Sequence, residues 1–161
     1  MKKILRPIYT LLVKIRAKTV GEDLHVNGLS IVSNTTVLGK NVNFNGISIR
    51  GKGIVKIGDN FHSGKDIVII SQNHNYDDGT SIPYDDTVIP KDIIIEDNVW
   101  IGDRVIILGG AHICEGAIIQ AGSVVIGEIP YCSIAGGHPA KVFKMRNIDH
   151  YERLKEQGKY M

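Results

Sequence analysis

From Ile95 onward apolar side chains recur at every sixth position: Ile95, Ile101, Ile107, Ile113, Ile119, Val125 and Tyr131. Two residues before each member after the first stands another small or aliphatic residue: Val99, Val105, Ala111, Ala117, Ser123 and Ile129. Six residues turn an α-helix by about 600° and scatter such a series around it, whereas an even step along a strand returns to the same face. The repeat therefore predicts strands. Between successive pairs lie turn formers and polar residues, as in Gly102-Asp103-Arg104, Cys114-Glu115-Gly116 and Gln120-Ala121-Gly122, so each six-residue unit is a short strand plus a corner. A chain that turns the same way at every unit winds into a parallel coil with its Val/Ile pairs inside and about 4.8 Å between coils. The expected fold is an all-β solenoid.

The same pattern continues more weakly upstream through Ile57-Gly58-Asp59-Asn60-Phe61, Ile67 and Ile69, and again at Leu38-Gly39 and Phe44. Between Ile69 and Ile89 the register breaks. The segment 72–90, which includes Asn73-His74-Asn75-Tyr76-Asp77-Asp78-Gly79, Pro83 and Pro90, reads as a loop bulging out of the coil. Loops held on a rigid scaffold are where binding and catalytic side chains concentrate.

Composition agrees with strands and narrows the chemistry. The 161 residues suit one domain, and 26 Ile and 14 Val against 8 Leu argue against an all-helical chain, because β-branched side chains favour strands. Lys2, Lys3, Arg6, Lys14, Arg16 and Lys18 precede the first acidic residue, which leaves the remainder net acidic and predicts no nucleic-acid partner. Two cysteines make no disulfide framework, and Arg6, Pro7 and Lys14 interrupt the first apolar segment, so the expected setting is cytoplasmic.

The motifs Asn98-Val99-Trp100-Ile101-Gly102, Ile119-Gln120-Ala121-Gly122-Ser123-Val124-Val125 and Gly136-Gly137-His138-Pro139-Ala140-Lys141 resemble those of the hexapeptide-repeat acetyltransferases. That resemblance covers roughly residues 22 to 145. It implies a left-handed parallel β-helix with three flat sides and about eighteen residues per turn. The implied organisation is an N-terminal amphipathic helix at 1–20, a catalytic β-helix at 21–145 carrying the loop 72–90, and a C-terminal helix and tail at 146–161.

The resemblance further implies acetyl-CoA as acyl donor, no metal, and direct transfer to a sugar or saccharide hydroxyl in surface polysaccharide synthesis. A sugar hydroxyl needs a base to take its proton as it attacks a thioester, and His74 fills that role, with Asp77 or Asp78 as candidates to orient the ring. The corner at Gly102-Asp103 would offer a backbone N–H to the oxyanion. For the donor, Trp100 would wall the pantetheine slot or else simply cover apolar surface. The backbone at Ala121 would bond the arm, and Gly122 and Ser123 would permit its approach. Lys141, Lys144 and Arg146 would pair with phosphates or form an ordinary solvated run. Asn43, in the turn Asn43-Phe44-Asn45, joins Asp77, Tyr84 and Asp85 as candidates for the acceptor.

Rival readings are N-acetylation of a nucleotide-linked amino sugar and a non-catalytic β-helix binding module. Cys114 and Cys132, eighteen residues apart, are expected to stack on neighbouring coils, which leaves an acetyl-cysteine route conceivable. His74 and His112 lack the third, closely spaced histidine of a three-histidine metal site. Ile4, Ile8, Leu11, Leu12 and Ile15 fall at helical spacing among basic residues, with Pro7 near the helix start. That helix either caps the solenoid or contacts anionic lipid through residues 1–18. Asp149-His150-Tyr151-Glu152 resembles a capping box that opens a helix ending near Gly158. The resemblance also implies a homotrimer with active sites between subunits.

Overall fold

In the computed structural model residues 2–161 are described, with side chains from Leu5 onward; Met1 and the side chains of Lys2, Lys3 and Ile4 lie outside the described residues. Helix α1 (Lys2–Arg16) leads into the first coil, formed by β1 (Thr19–Val20), β2 (His25–Val26) and a bridge at Ile31. The second coil holds β3 (Thr36–Leu38), β4 (Asn43–Phe44) and β5 (Ile47–Arg50), and the third β6 (Val55–Ile57), β7 (His62–Ser63) and β8 (Ile67–Ile70). After an arm made of β9 (Gln72–His74) and β10 (Val88–Pro90) come β11 (Ile93–Ile95), β12 (Trp100–Ile101) and β13 (Ile106–Leu108). The fifth coil is β14 (His112–Ile113), β15 (Ile118–Ile119) and β16 (Val124–Val125). The last holds β17 (Glu128–Ile129) and β18 (Ser133–Gly137), from which β19 (Ala140–Met145) turns back before helix α2 (Ile148–Glu156).

Equivalent strands stack in parallel into three sheets, which are the three sides of a prism of about six turns. The first side runs β1-β3-β6-β11-β14-β17, the second β2-β4-β7-β12-β15-β18, and the third β5-β8-β13-β16. Among the described residues only the pairs β9–β10 and β18–β19 are antiparallel. Inside, side chains stack in files: Leu38, Ile57, Ile95, Ile113 and Ile129 on the first side, and Ile49, Ile69, Ile107 and Val125 on the third. All are buried, so each Ile to Ala change in a file should cost about 2–5 kcal/mol.

Corners follow the same stacking. Asn41, Asn60 and Asn98 adopt left-handed backbone angles (φ 51°, 54° and 60°), which asparagine tolerates better than most residues. Each amide donates to the next: Asn41 Nδ2 to Asn60 Oδ1 and Asn60 Nδ2 to Asn98 Oδ1, both at 3.0 Å.

Five details differ from the sequence reading. Tyr131 leaves the buried series and Ile129 takes its place above Ile113, because the last coil is two residues short, as the pairing of Ile118 with Ile134 also shows. For the same reason Cys114 and Cys132 do not stack. Cys132 lies over Gly116, whose added Cβ would meet its Sγ at 2.8 Å, while Cys114 follows β14 on the first side. Helix α1 does close the first coil, but through Tyr9, Val13 and Ala17, and the aliphatic series Ile8, Leu11, Leu12 and Ile15 is exposed. Pro7 lies inside that helix. Finally, the N-cap of α2 is Asn147, whose side chain accepts from the His150 N–H at 2.9 Å; Asp149 sits in the first turn.

Candidate active site

Trp100 opens the site. It is the outward residue of β12, in register between His62 and Ile118, and its indole is 55% exposed. Beside it a cavity of about 580 Å³ lies between the second side of the prism and the C-terminal segment. Asn45, Asn60, His62 and Trp100 line its solenoid wall, and Tyr151 and Lys155 of α2 face them.

A polar network fixes that wall. Glu115 Oε1 accepts from Tyr151 Oη at 2.8 Å, from Lys155 Nζ at 2.6 Å and from Asn98 Nδ2 at 3.3 Å. Burial works to raise the Glu115 carboxyl, but the hydrogen bonds from Lys155, Tyr151 and Asn98 together hold it below the ordinary value. Burial, reinforced by the carboxylate partner, pushes the Tyr151 phenol up. Arg146, a candidate phosphate contact, is spent here: it donates to the Gly116 carbonyl at 3.0 Å and lies over the Tyr151 ring at 4.7 Å.

One residue past β12 comes the corner at Gly102-Asp103. Here the solenoid uses a carboxylate ladder. Asp59 Oδ1 accepts from Lys40 N and Asp97 Oδ1 from Asp59 N, both at 2.7 Å; Asp103 Oδ1 likewise accepts from Lys65 N at 2.8 Å. The next step up from Asp103 is Ala121, which stacks on Gly102 and carries no carboxylate for the Asp103 N–H. Among the described hydrogen bonds none is donated by the Asp103 N–H, so the ladder ends there. Gly122 follows in the left-handed region (φ 75°), with nothing within 4 Å of where a Cβ would stand. Ser123 differs from expectation: its hydroxyl is buried, donates to the Gln120 carbonyl at 2.7 Å and accepts from Gly137 N at 3.1 Å. It anchors the last hairpin. Lys141 and Lys144 are exposed on β19.

His74 lies elsewhere. The segment 72–90 is an antiparallel arm, with His74 opposite Val88, and leaves the prism where β8 gives way to β11, a different corner from that of Asp103. The imidazole is exposed and stacks on Tyr84, 3.9 Å between centroids and 16° between planes. Among the described contacts neither Asp77 nor Asp78 hydrogen-bonds the ring. Asp85 holds the arm together, accepting from Thr87 N at 2.8 Å and Thr80 N at 3.1 Å; the Thr87 bond is the largest influence keeping its carboxyl low. No residue of the arm lines the cavity.

Asn43 is two coils below Trp100 in the same outward row, its amide turned to Asn41 and His62. Its neighbour in the motif, Asn45, reaches the cavity. Sequence reasoning took Asn43 rather than Asn45 from the turn Asn43-Phe44-Asn45, and missed His62 and the Glu115 network. His62 was recoverable only from the register that places it beneath Trp100, and the upstream repeat is too weak to fix that register.

Another cluster with ligand chemistry, Glu96, His112 and Cys114, has its donor atoms within 4.8 Å of one another. Glu96 is already committed, pairing with His112 Nε2 at 2.7 Å and accepting from Glu115 N at 2.8 Å. Burial and the charges of Glu96 and Glu128 raise the Cys114 thiol, and burial raises that of Cys132, so neither is poised as a thiolate nucleophile.

Residues 92–127, which build the fourth and fifth coils of the prism, match the family described as bacterial transferase hexapeptide (six repeats). Within that stretch the chain carries the repeat of that family. Among solved structures it is similar to a galactoside acetyltransferase in complex with coenzyme A, at 29% identity and a TM-score of 0.74, covering 90% of this chain and 70% of that one. It is also similar to a hexapeptide-repeat acetyltransferase of Vibrio cholerae O1 biovar eltor complexed with acetyl coenzyme A, at 26% identity and a TM-score of 0.72, covering 86% of this chain and 76% of that one. A Schizosaccharomyces pombe protein whose name assigns it provisionally to the acetyltransferases is 40% identical over 88 residues, 55% of this chain and 42% of its own. The chain thus spans less than half the length of the curated relatives it matches.

Proposed function

We propose that the protein is an acetyl-CoA-dependent O-acetyltransferase that acetylates a sugar or saccharide hydroxyl in the cytoplasm, as a step in surface polysaccharide synthesis, and that it works as a homotrimer. The observation that carries the reading is the ladder that stops at Ala121, which leaves the Asp103 N–H without a partner among the described hydrogen bonds, three residues after the exposed Trp100. Such a preorganised donor stabilises an oxyanion more effectively than water that must reorient. The galactoside and Vibrio proteins, solved with coenzyme A and acetyl coenzyme A, support the donor.

In this reading the thioester carbonyl lies at the Asp103 corner, with the pantetheine arm along Ala121 and Gly122 and the phosphates toward Lys141 and Lys144. The saccharide enters the cavity, where Asn45 and His62 offer polar atoms, and Asp77 and Tyr84 approach it on the arm of a neighbouring copy. His74 of that neighbour takes the hydroxyl proton as the oxygen attacks the carbonyl carbon. The oxyanion collapses, the carbon–sulfur bond breaks, and the thiolate recovers a proton from the imidazolium, giving acetylated saccharide and free coenzyme A. A second copy is needed because the arm and the Asp103 corner leave the prism on different edges.

The test is thiol release from acetyl-CoA against a panel of sugars, amino sugars and nucleotide sugars, with His74→Ala alongside. Saccharide-dependent release that collapses in the variant supports the reading. Release driven only by amino groups, or equal rates in both proteins, overturns it.

A further inference from the structure

The exposed face of α1 is the largest feature that acyl transfer leaves unused. Around the helix, at about 100° per residue, Leu5, Ile8, Leu11, Leu12 and Ile15 share one aliphatic arc. Tyr9, Val13 and Ala17, which hold the helix to the first coil, lie on the other side. The arc is open to solvent: Ile15 is 74% exposed, Leu11 56%, Ile8 51% and Leu12 48%. Scattered single aliphatics on a surface are ordinary, but five on one helical face are a docking surface.

Charge identifies what docks. Arg16 borders the arc on one side and Lys14 on the other, Lys18 follows just past the helix, and no acidic residue occurs before Glu22. Arg6 and Lys14 also line, with His25, a groove of about 440 Å³ between α1 and the first coil. The rest of the chain is net acidic. An anionic surface therefore attracts this end of the prism and repels the body, which sets an orientation as well as an attraction. An aliphatic arc fringed by cations suits the boundary between acyl chains and anionic headgroups, where the apolar residues enter the lipid and the cations meet phosphates. It suits a protein groove less well, because the cations fringe both borders of the arc.

We infer that the α1 face seats the protein on anionic membranes. The helix lies in the interface plane, with Leu5, Ile8, Leu12 and Ile15 directed into the lipid. The inference goes beyond the acyl-transfer reading and does not depend on it.

The full chain is tested by sedimentation with phosphatidylcholine vesicles, with and without about one third phosphatidylserine. Wild type is expected to sediment with the anionic vesicles, to release in high salt, and to stay in solution with neutral ones. The double variant Leu12→Glu/Ile15→Glu, altered only at exposed positions, is expected to lose at least about tenfold in partitioning. Its circular dichroism, its mass by light scattering and its thiol release toward a soluble acceptor should remain at wild-type levels. A second variant, Arg16→Glu/Lys18→Glu, keeps the aliphatic arc and should lose binding to anionic vesicles specifically. Failure of wild type to bind anionic vesicles overturns the inference, as does equal binding to neutral ones. A fall in oligomeric mass in the first variant overturns it too, since the face would then be covered by a second copy. Loss of thiol release in wild type with vesicle binding intact would count against the enzymatic reading alone.

Discussion

The imidazole of His74 and the phenol ring of Tyr84 lie face to face, 3.9 Å apart at their centroids, across the base and outer part of one hairpin arm. Stacking fixes the plane of the imidazole without occupying either ring nitrogen, so the ring is oriented yet free to accept a proton. His74→Ala should lower kcat by about 10²- to 10⁴-fold and leave KM for acetyl-CoA nearly unchanged. Tyr84→Phe retains the stack and should lose little, whereas Tyr84→Leu should lower kcat with a smaller effect on the acceptor KM. Steady-state kinetics on the three variants decide it; equal losses in Phe and Leu would assign the phenolic hydroxyl, not the stack, as the working group.

At Ala121 the carboxylate ladder can be completed by mutation. An aspartate there has the same register toward Asp103 that Asp103 has toward Lys65, so Ala121→Asp should cap the free N–H. The fold has no reason to suffer and Tm should hold or rise. Loss of one oxyanion donor typically costs about 10²- to 10³-fold in kcat. A stable Ala121→Asp protein with wild-type turnover would remove the Asp103 N–H from the chemistry.

What the sequence made legible follows burial. Ile95 to Val125 repeat strictly because each fills the same place in a closed prism, and a β-branched residue is nearly the only filling that fits. The series fails at Tyr131 because a coil two residues short costs only a corner, and corners leave no hydrophobic signature. The docking face of α1 was not legible for a related reason: its aliphatic stripe is stronger than the face that docks, and hydrophobicity cannot say which apolar surface meets the solenoid. That His74 stands on a segment outside the coil was legible from the polar and turn-forming residues around it. The relation between Asn45, His62 and Trp100 was not, since only three-dimensional register joins positions 38 residues apart.

Acid should act through Glu115. Its carboxyl is held below the ordinary 4.5, so the stability drawn from the charged form is present above that pH and is lost as pH falls through the lower folded value. Glu115→Gln should cost about 1–2 kcal/mol at neutral pH, a charged hydrogen-bond value reduced for partial exposure. The Tm gap between the two proteins should narrow below about pH 4.5. Lys155, raised by the same bond, keeps its share up to its own ordinary 10.5 and loses it above. Differential scanning calorimetry from pH 3 to neutrality, roughly, reads the gap; a gap independent of pH would show that Glu115 acts by shape alone.

Lys141 and Lys144 stand exposed on β19 with no acidic partner among the described salt bridges. Reversing both to Glu should raise KM for acetyl-CoA by about tenfold or more and leave the acceptor KM unchanged, because the phosphates sit at the end of the donor remote from transfer. An equal rise in both constants would mean that the fold, rather than the phosphates, had been disturbed.

The arm and the open corner lie on different edges of one chain, so the location of the complete site can be decided by mixing two dead proteins. His74→Ala subunits keep an intact corner and Ala121→Asp subunits an intact arm. If each site joins the arm of one protomer to the corner of the next, a randomly mixed trimer regains about a quarter of its sites, because each site needs one wild-type half from each neighbour. If both halves of the site come from a single chain, no mixture recovers anything. The outer face of the third side, with Val68, Ile106 and Val124 in one row and Ile70 and Leu108 in the next, gives such a trimer apolar surface to bury. Ile106→Asp should therefore reduce the mass seen by light scattering to that of one chain and abolish turnover, although His74 and Asp103 are untouched. Retained turnover in a monomeric Ile106→Asp protein would place the whole site within one prism.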